Sequence, residues 1–157
     1  MNRFIIQIDG RDCGSSDDYD EAKAIYDSVG SSSQGSTRTL LARICGEDCV
    51  IRSGAIGGDS GGIVRHRAGA VVLMASGRLR AAVRAGDAFS LEELQKYVGG
   101  LIEVVPLDGH TVMVVNEEGK LNGLPVNRAA TDIYETFNHI GDFIVGDVVL
   151  CYSEEIL

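Results

Sequence analysis

The sequence predicts an α+β fold: mostly antiparallel sheet with three short helices, an N-terminal β-α-β-β unit and a C-terminal mixed α/β lobe. Three observations predict it. Short runs rich in Val, Ile, Leu and Thr recur along the chain, bounded by Asp-Gly, Ser-Gly and Gly-Gly turn signals. Apolar residues at helical spacing occur in three stretches, near residues 19–29, 91–98 and 128–138. The strands precede, separate and follow those helices without a βαβ rhythm, which argues against a doubly wound parallel sheet. At 157 residues, 45% hydrophobic and 24% charged, the chain is globular and large enough for one domain or two small lobes.

The first unit spans residues 1–53. Residues 3–9, RFIIQID, read as a strand, and Asp9-Gly10 is a turn signal that allows Arg11 to Gly14 to return as a short strand. Asp18 with Glu21 three residues on is a capping-box pattern that opens a helix. Tyr19, Ala22, Ile25 or Tyr26, and Val29 give that helix an apolar stripe, and Gly30 stops it. After the loop SSSQGS, Thr37–Ile44 and Cys49–Ser53 form a hairpin through Gly46-Glu47-Asp48. Residues 54–62, GAIGGDSGG, are a linker, since five of the nine are glycine and resist regular structure.

The second domain spans residues 63–157. Ile63–Met74 and Arg78–Val83 pair as a hairpin through Ser76-Gly77. Ser90 and Glu93 make a capping box, Phe89 and Leu94 occupy the staple positions, and Gly99-Gly100 closes the helix between them. Leu101–Val105 and Thr111–Val115 form a hairpin around Asp108-Gly109. Residues 120–127, with Gly123 and Pro125, are irregular, and Arg128–Asn138 is a helix with Ile133 and Phe137 on one side. Asp142–Cys151 is a strand interrupted at Gly146-Asp147.

Charge divides the chain more sharply than composition does. Residues 1–85 carry eleven Lys/Arg against ten Asp/Glu, a balance of +1, whereas residues 86–157 carry three against thirteen, a balance of −10. So acidic a half repels phosphates, which argues against nucleic acid as a partner and suits either solubility or a basic protein partner. One basic patch stands out, Arg65, Arg67, Arg78, Arg80 and Arg84 on the 63–83 hairpin and its end. It is expected to be solvated and to pair with the acidic half. Without aromatic residues interleaved it lacks the pattern of a single-strand binder.

Most apparent chemistry dissolves on inspection. Residues 58–62 spell GDSGG, the setting of a trypsin-like nucleophile, but His66, His110 and His139 all lie downstream of Ser60, where that chain order has no place for the general base. Cys45 and Cys49 flank a turn, but a metal would need two more ligands of the right type, so reduced thiols are expected, with a cross-strand disulfide or redox switch as the alternative. No metal site, cofactor or phosphate loop is assigned. Glu103, Asp108, Glu117 and Glu118 surround the 101–119 hairpin without a recognisable acid–base partner set, so no catalytic residue is assigned. The longest apolar run covers residues 68–75, far short of the roughly 20 needed to cross a bilayer. The N-terminus reads as a strand rather than a signal peptide, and a cytoplasmic location is expected.

The stretches LEELQKYVGGLIEVVPL, VMVVNEEGKLNGLPVNRAAT and GDFIVGDVV carry a resemblance. In combination they are similar to a domain-of-unknown-function family numbered 3846, over about residues 70–155, with the first 60 residues outside the match. The resemblance implies a fold and a setting among phages, plasmids and other bacterial mobile elements, and it carries no established activity over. Within its NEEGKLNGLPVN block, Asn116, Glu118, Asn122, Asn127 and Arg128 crowd around turns. There they either bind a ligand or hold the backbone through local hydrogen bonds.

The expected function is therefore a non-enzymatic accessory protein of a mobile element that acts through its acidic surface on a protein partner, counter-defence being one version. The alternative is a module for a small nucleotide-like ligand, using the Arg hairpin with Asn122, Asn127 and Arg128. An enzyme of unrecognised type is the third reading. Strand edges in the Arg hairpin leave a homodimer open.

Overall fold

In a computed structural model, the structure describes residues 2–29, 36–44, 47–55, 70–138 and 140–157. The fold is α+β, with three α-helices and two antiparallel sheets among the described residues. The chain divides into two compact units, Met1–Ala68 and Gly69–Leu157.

The first unit holds β1 (Arg3–Ile8), β2 (Arg11–Ser16), α1 (Tyr19–Ser28), β3 (Thr37–Ile44) and β4 (Glu47–Ala55), in the sheet order β2-β1-β3-β4. Asp9 and Gly10 both take positive φ, 49° and 80°, the geometry of a tight two-residue hairpin. The returning strand runs to Ser16 rather than Gly14, so the unit is ββαββ and not β-α-β-β. Gly14 is required there: a Cβ would sit 2.9 Å from Ile25 Cγ2 of the helix packed above. Asp18 caps α1, its side chain accepting from Asp20 N and Glu21 N. The box closes indirectly, because Ser16 Oγ donates to Glu21 Oε2 at 2.7 Å and accepts from Asp18 N at 3.1 Å. Phe4, Ile6, Leu40, Ala42, Tyr19, Ala22 and Tyr26 are buried, with Phe4 and Tyr19 meeting edge to face at 5.5 Å. Strand β4 takes in Gly54 and Ala55, which were expected to begin the linker. Residues 56–62, with the GDSGG stretch, lie outside the described residues, as do Cys45, Arg65, His66, Arg67, His139 and the side chain of Cys49.

The second unit holds β5 (Val71–Leu73), β6 (Leu79–Ala81), α2 (Leu91–Val98), β7 (Ile102–Pro106), β8 (Thr111–Asn116), α3 (Arg128–Asn138) and β9 (Val148–Tyr152). Its sheet runs β6-β5-β9-β8-β7, every pair antiparallel. In the Arg hairpin β6 has three residues where Arg78–Val83 were expected, and β5 runs from Val71 to Leu73; the rest of the expected first strand, residues 63–69, lies outside the described residues. All six residues of β8 are buried, as befits a strand covered on both faces. On one face Val72, Val112, Val114, Val149 and Cys151 pack with Phe89, Leu94 and Val98 of the α2 segment. Both halves of the α2 capping box form: Glu93 N donates to Ser90 Oγ at 3.2 Å and Ser90 N donates to Glu93 Oε2 at 2.8 Å. Gly99 closes the helix at φ 79°. On the other face lie Val71, Leu73, Met113, Val148 and Leu150, all fully buried, and α3 is tied to that side through Asn127. Among the described residues no helix is long and apolar enough to cross a membrane.

Candidate functional site

The block from Asn116 to Arg128, where the sequence points to a site, divides in the structure into scaffold and surface. Asn127 is fully buried. Its Nδ2 donates to Leu73 O and Gly146 O, both at 2.9 Å, and its Oδ1 accepts from Ala130 N at 3.1 Å as the cap of α3. Every polar atom of that side chain is committed to backbone. Asn116 is also buried, with Nδ2 donating to Val98 O at 3.1 Å and Oδ1 accepting from Glu118 N at 2.9 Å. It joins the end of α2 to the turn after β8. The approach is close, since a Cβ on Gly100 would sit 2.9 Å from Asn116 Nδ2.

The exposed members go elsewhere. Glu118 and Asn122 line a broad surface groove with Glu92, Gln95, Lys96 and Leu101 at the end of α2. Arg128 is exposed at the first position of α3. Two of the described members of the basic patch, Arg80 and Arg84, make contacts within their own unit. Arg84 is ion-paired with Glu155 at 2.6 Å and lies 5.4 Å from the Phe89 ring centroid. Arg80 lies 5.3 Å from the Tyr97 ring centroid.

A more enclosed cleft lies beside these positions, between β7, the turn after β8, α3 and the segment leading to β9. It has a volume of about 140 Å³ and is lined by Glu103, Glu117, Lys120, Tyr134, Asp142 and Phe143, with Val105 and Val115 among its floor residues. Strand alternation brings Glu103 and Val105 to this side, because Glu103 faces Val115 and Val105 faces Met113 across the β7–β8 ladder. The turn is built by Glu117 N donating to Leu101 O at 2.9 Å and Leu124 N donating to Gly119 O at 3.0 Å. Gly119 must be glycine-sized, since a Cβ would meet Val145 Cγ2 at 2.8 Å. The far wall is fixed to α3: Ile144 N donates to Thr131 Oγ1 at 3.0 Å and Asn127 N donates to Ile144 O at 2.8 Å.

One cation already sits in this setting. Lys120 Nζ donates to Asp142 Oδ1 at 2.6 Å and lies 4.7 Å from the Phe143 ring centroid. The Lys120 hydrogen bond, with a second from Phe143 N, holds the Asp142 carboxyl below the usual carboxylate range. The cleft thus pairs a carboxylate with an aromatic face around an ammonium group, and Glu103 and Glu117 add two further exposed carboxylates. Among the described residues no group of His, Cys, Asp and Glu is arranged to hold a metal ion. Glu103 and Glu117 stand out in the sequence as carboxylates of the 101–119 hairpin, whereas Lys120, Tyr134, Asp142 and Phe143 do not. Those four are brought together only by the α3 crossing, and no local pattern announces them.

The cleft belongs to an antiparallel five-stranded α+β module with a helix associated with each face. Residues 69–156, essentially this second unit, match the family model described as Domain of unknown function (DUF3846). The chain belongs to that family, with the first unit outside the match. No curated protein and no solved structure matches the chain.

Proposed function

We propose that this chain is a non-enzymatic binding protein whose second unit takes a basic side chain of a protein partner at the acidic cleft. The observation that carries the reading is the lining itself. Glu103, Glu117 and Asp142 share the cleft with one described cation, Lys120, and that cation is already engaged by Asp142 and Phe143. Two carboxylates therefore remain beside an aromatic and aliphatic wall, an environment that favours an incoming guanidinium or ammonium. The balance of −10 over residues 86–157 steers such a partner toward this half of the chain.

At this cleft, size supports a side chain over a nucleotide. Ligand pockets for drug-sized molecules run from roughly 300 to 1,000 Å³, and this cleft has about 140 Å³. Two of the residues invoked for a nucleotide are also engaged: Asn127 with the backbone of α3, β5 and the Gly146 turn, and Arg84 with Glu155. The mobile-element setting implied by the resemblance fits a protein that acts on a host or element-encoded partner.

Calorimetric titration of short arginine-containing peptides tests this reading, against the wild-type chain and the Glu103→Gln/Glu117→Gln double variant. Saturable binding at low salt, weakened by added salt and by the double substitution, is expected. Binding that ignores both salt and the substitutions would overturn it.

A further inference from the structure

We propose that β7 is a docking edge, which takes an extended segment of a partner protein, alternating basic and apolar residues, as a sixth strand of the second sheet. The inference rests on the acidic-cleft reading and specifies how the partner is held.

Among the described residues, β7 is the last strand of its sheet, with β8 on one side only. The hydrogen bonds that bracket the hairpin fix which backbone groups are free. Glu117 N donates to Leu101 O, and Leu107 N donates to Thr111 O. Leu101 and Leu107 therefore face β8, and by alternation so do Glu103 and Val105. Ile102 and Val104 then turn their N–H and C=O groups outward. Among the described residues, no hydrogen bond from beyond the β7–β8 ladder reaches either of them. Pro106, also in the outward frame, has no N–H and ends the usable edge.

Side chains specify the occupant. Glu103 and Val105 stand on the cleft side of β7, while Ile102 packs toward the α2 core and Val104 beside it is 41% exposed. An added strand would set alternate residues against Glu103 at the cleft mouth and the others against Ile102 and Val104. Cross-strand pairing favours Lys or Arg at the first positions and β-branched apolar residues at the second. A second copy presenting its own β7 is disfavoured. In the antiparallel register that uses both free residues, Glu103 would lie opposite Glu103, a like-charge pair. An exposed edge with unpaired backbone groups and alternating side-chain contacts is the general arrangement for strand addition.

The test uses the full chain and a fluorescent peptide alternating valine and arginine, with anisotropy as the readout at low salt. Antiparallel addition, the mode of every other pair in this sheet, points the valine N–H groups at β7 and the arginine N–H groups away. N-methylation of the valine nitrogens should weaken binding at least about tenfold, the loss of one or two hydrogen bonds. N-methylation of the arginine nitrogens should be tolerated. Equal effects of the two methylated peptides would overturn the docking strand while leaving the acidic-cleft reading in place. Failure of the unmodified peptide to bind would overturn both. Concentration-dependent self-association that the peptide disperses would assign the edge to a second copy and overturn the partner assignment.

Discussion

Replacing Asn127 by alanine should destabilise the second unit by about 3 kcal/mol. The figure is built from the bonds in place. Loss of the Oδ1 cap on Ala130 N costs about 1 kcal/mol, the usual value for an Asn cap replaced by Ala. The Nδ2 group serves two buried carbonyls, Leu73 O and Gly146 O, and each deprived of its donor costs about 1 kcal/mol or more. Asn127→Asp is the informative companion. It keeps the acceptor that caps α3 but sets a carboxylate oxygen against those two carbonyls, so it should be at least as damaging as alanine despite being nearly isosteric. Urea denaturation followed by far-UV circular dichroism gives the stability change. Amide exchange at Ala130 reports whether the α3 cap opens. A loss below about 1 kcal/mol for both variants would refute the account of Asn127 as the joint between α3, β5 and the turn before β9.

Two further outcomes follow from the same geometry. Gly146→Ala should destabilise the second unit by more than about 1 kcal/mol, because Gly146 has φ 74° and a Cβ there would meet Leu124 Cδ1 at 2.9 Å; a neutral result in thermal unfolding would show that Leu124 yields freely. Burial, with the Glu155 charge beside it, pushes the Cys151 thiol up to about 12, so alkylation at pH 8 followed by peptide mapping should mark exposed Cys13 well before Cys151. The folded value is raised, so the thiol's contribution to stability is complete below the ordinary thiol range and declines as pH climbs from there toward 12. Comparable labelling of the two cysteines in the native chain would count against the packing described.

Much of the fold was legible because its signals are local. Ser90, Glu93, Phe89 and Leu94 are close in sequence, and the helix they specify forms with both halves of its capping box. The Asp9-Gly10 and Asp108-Gly109 turns and the helix Arg128–Asn138 were readable for the same reason: turn chemistry and apolar spacing act over a few residues. The length of β2 was not, since Ser15 and Ser16 have poor strand propensity and are recruited by pairing with Ile5 and Phe4. Strand β6 followed the same logic in reverse, since residues 78–83 suggested more strand than its three pairs with β5 use.

The site was legible only in part. Turn-rich polar residues drew attention to Asn116 and Asn127, which are structural because buried backbone needed donors and acceptors that only a side-chain amide supplies. The cleft is assembled from positions such as Lys120 and Asp142, joined across the α3 crossing by a 2.6 Å bond that no sequence pattern encodes.

The central claim is that a basic segment binds at the Glu103 cleft, and backbone amide NMR of the full chain during titration with the valine–arginine peptide tests it most directly. At low salt, where charges act over roughly 10 Å or more, shifts should concentrate at Ile102–Val105, Glu117, Lys120 and Asp142–Phe143. The Ile102 and Val104 amides should also exchange more slowly in the complex. Shifts confined to other surfaces, or none at saturating peptide, would contradict the account.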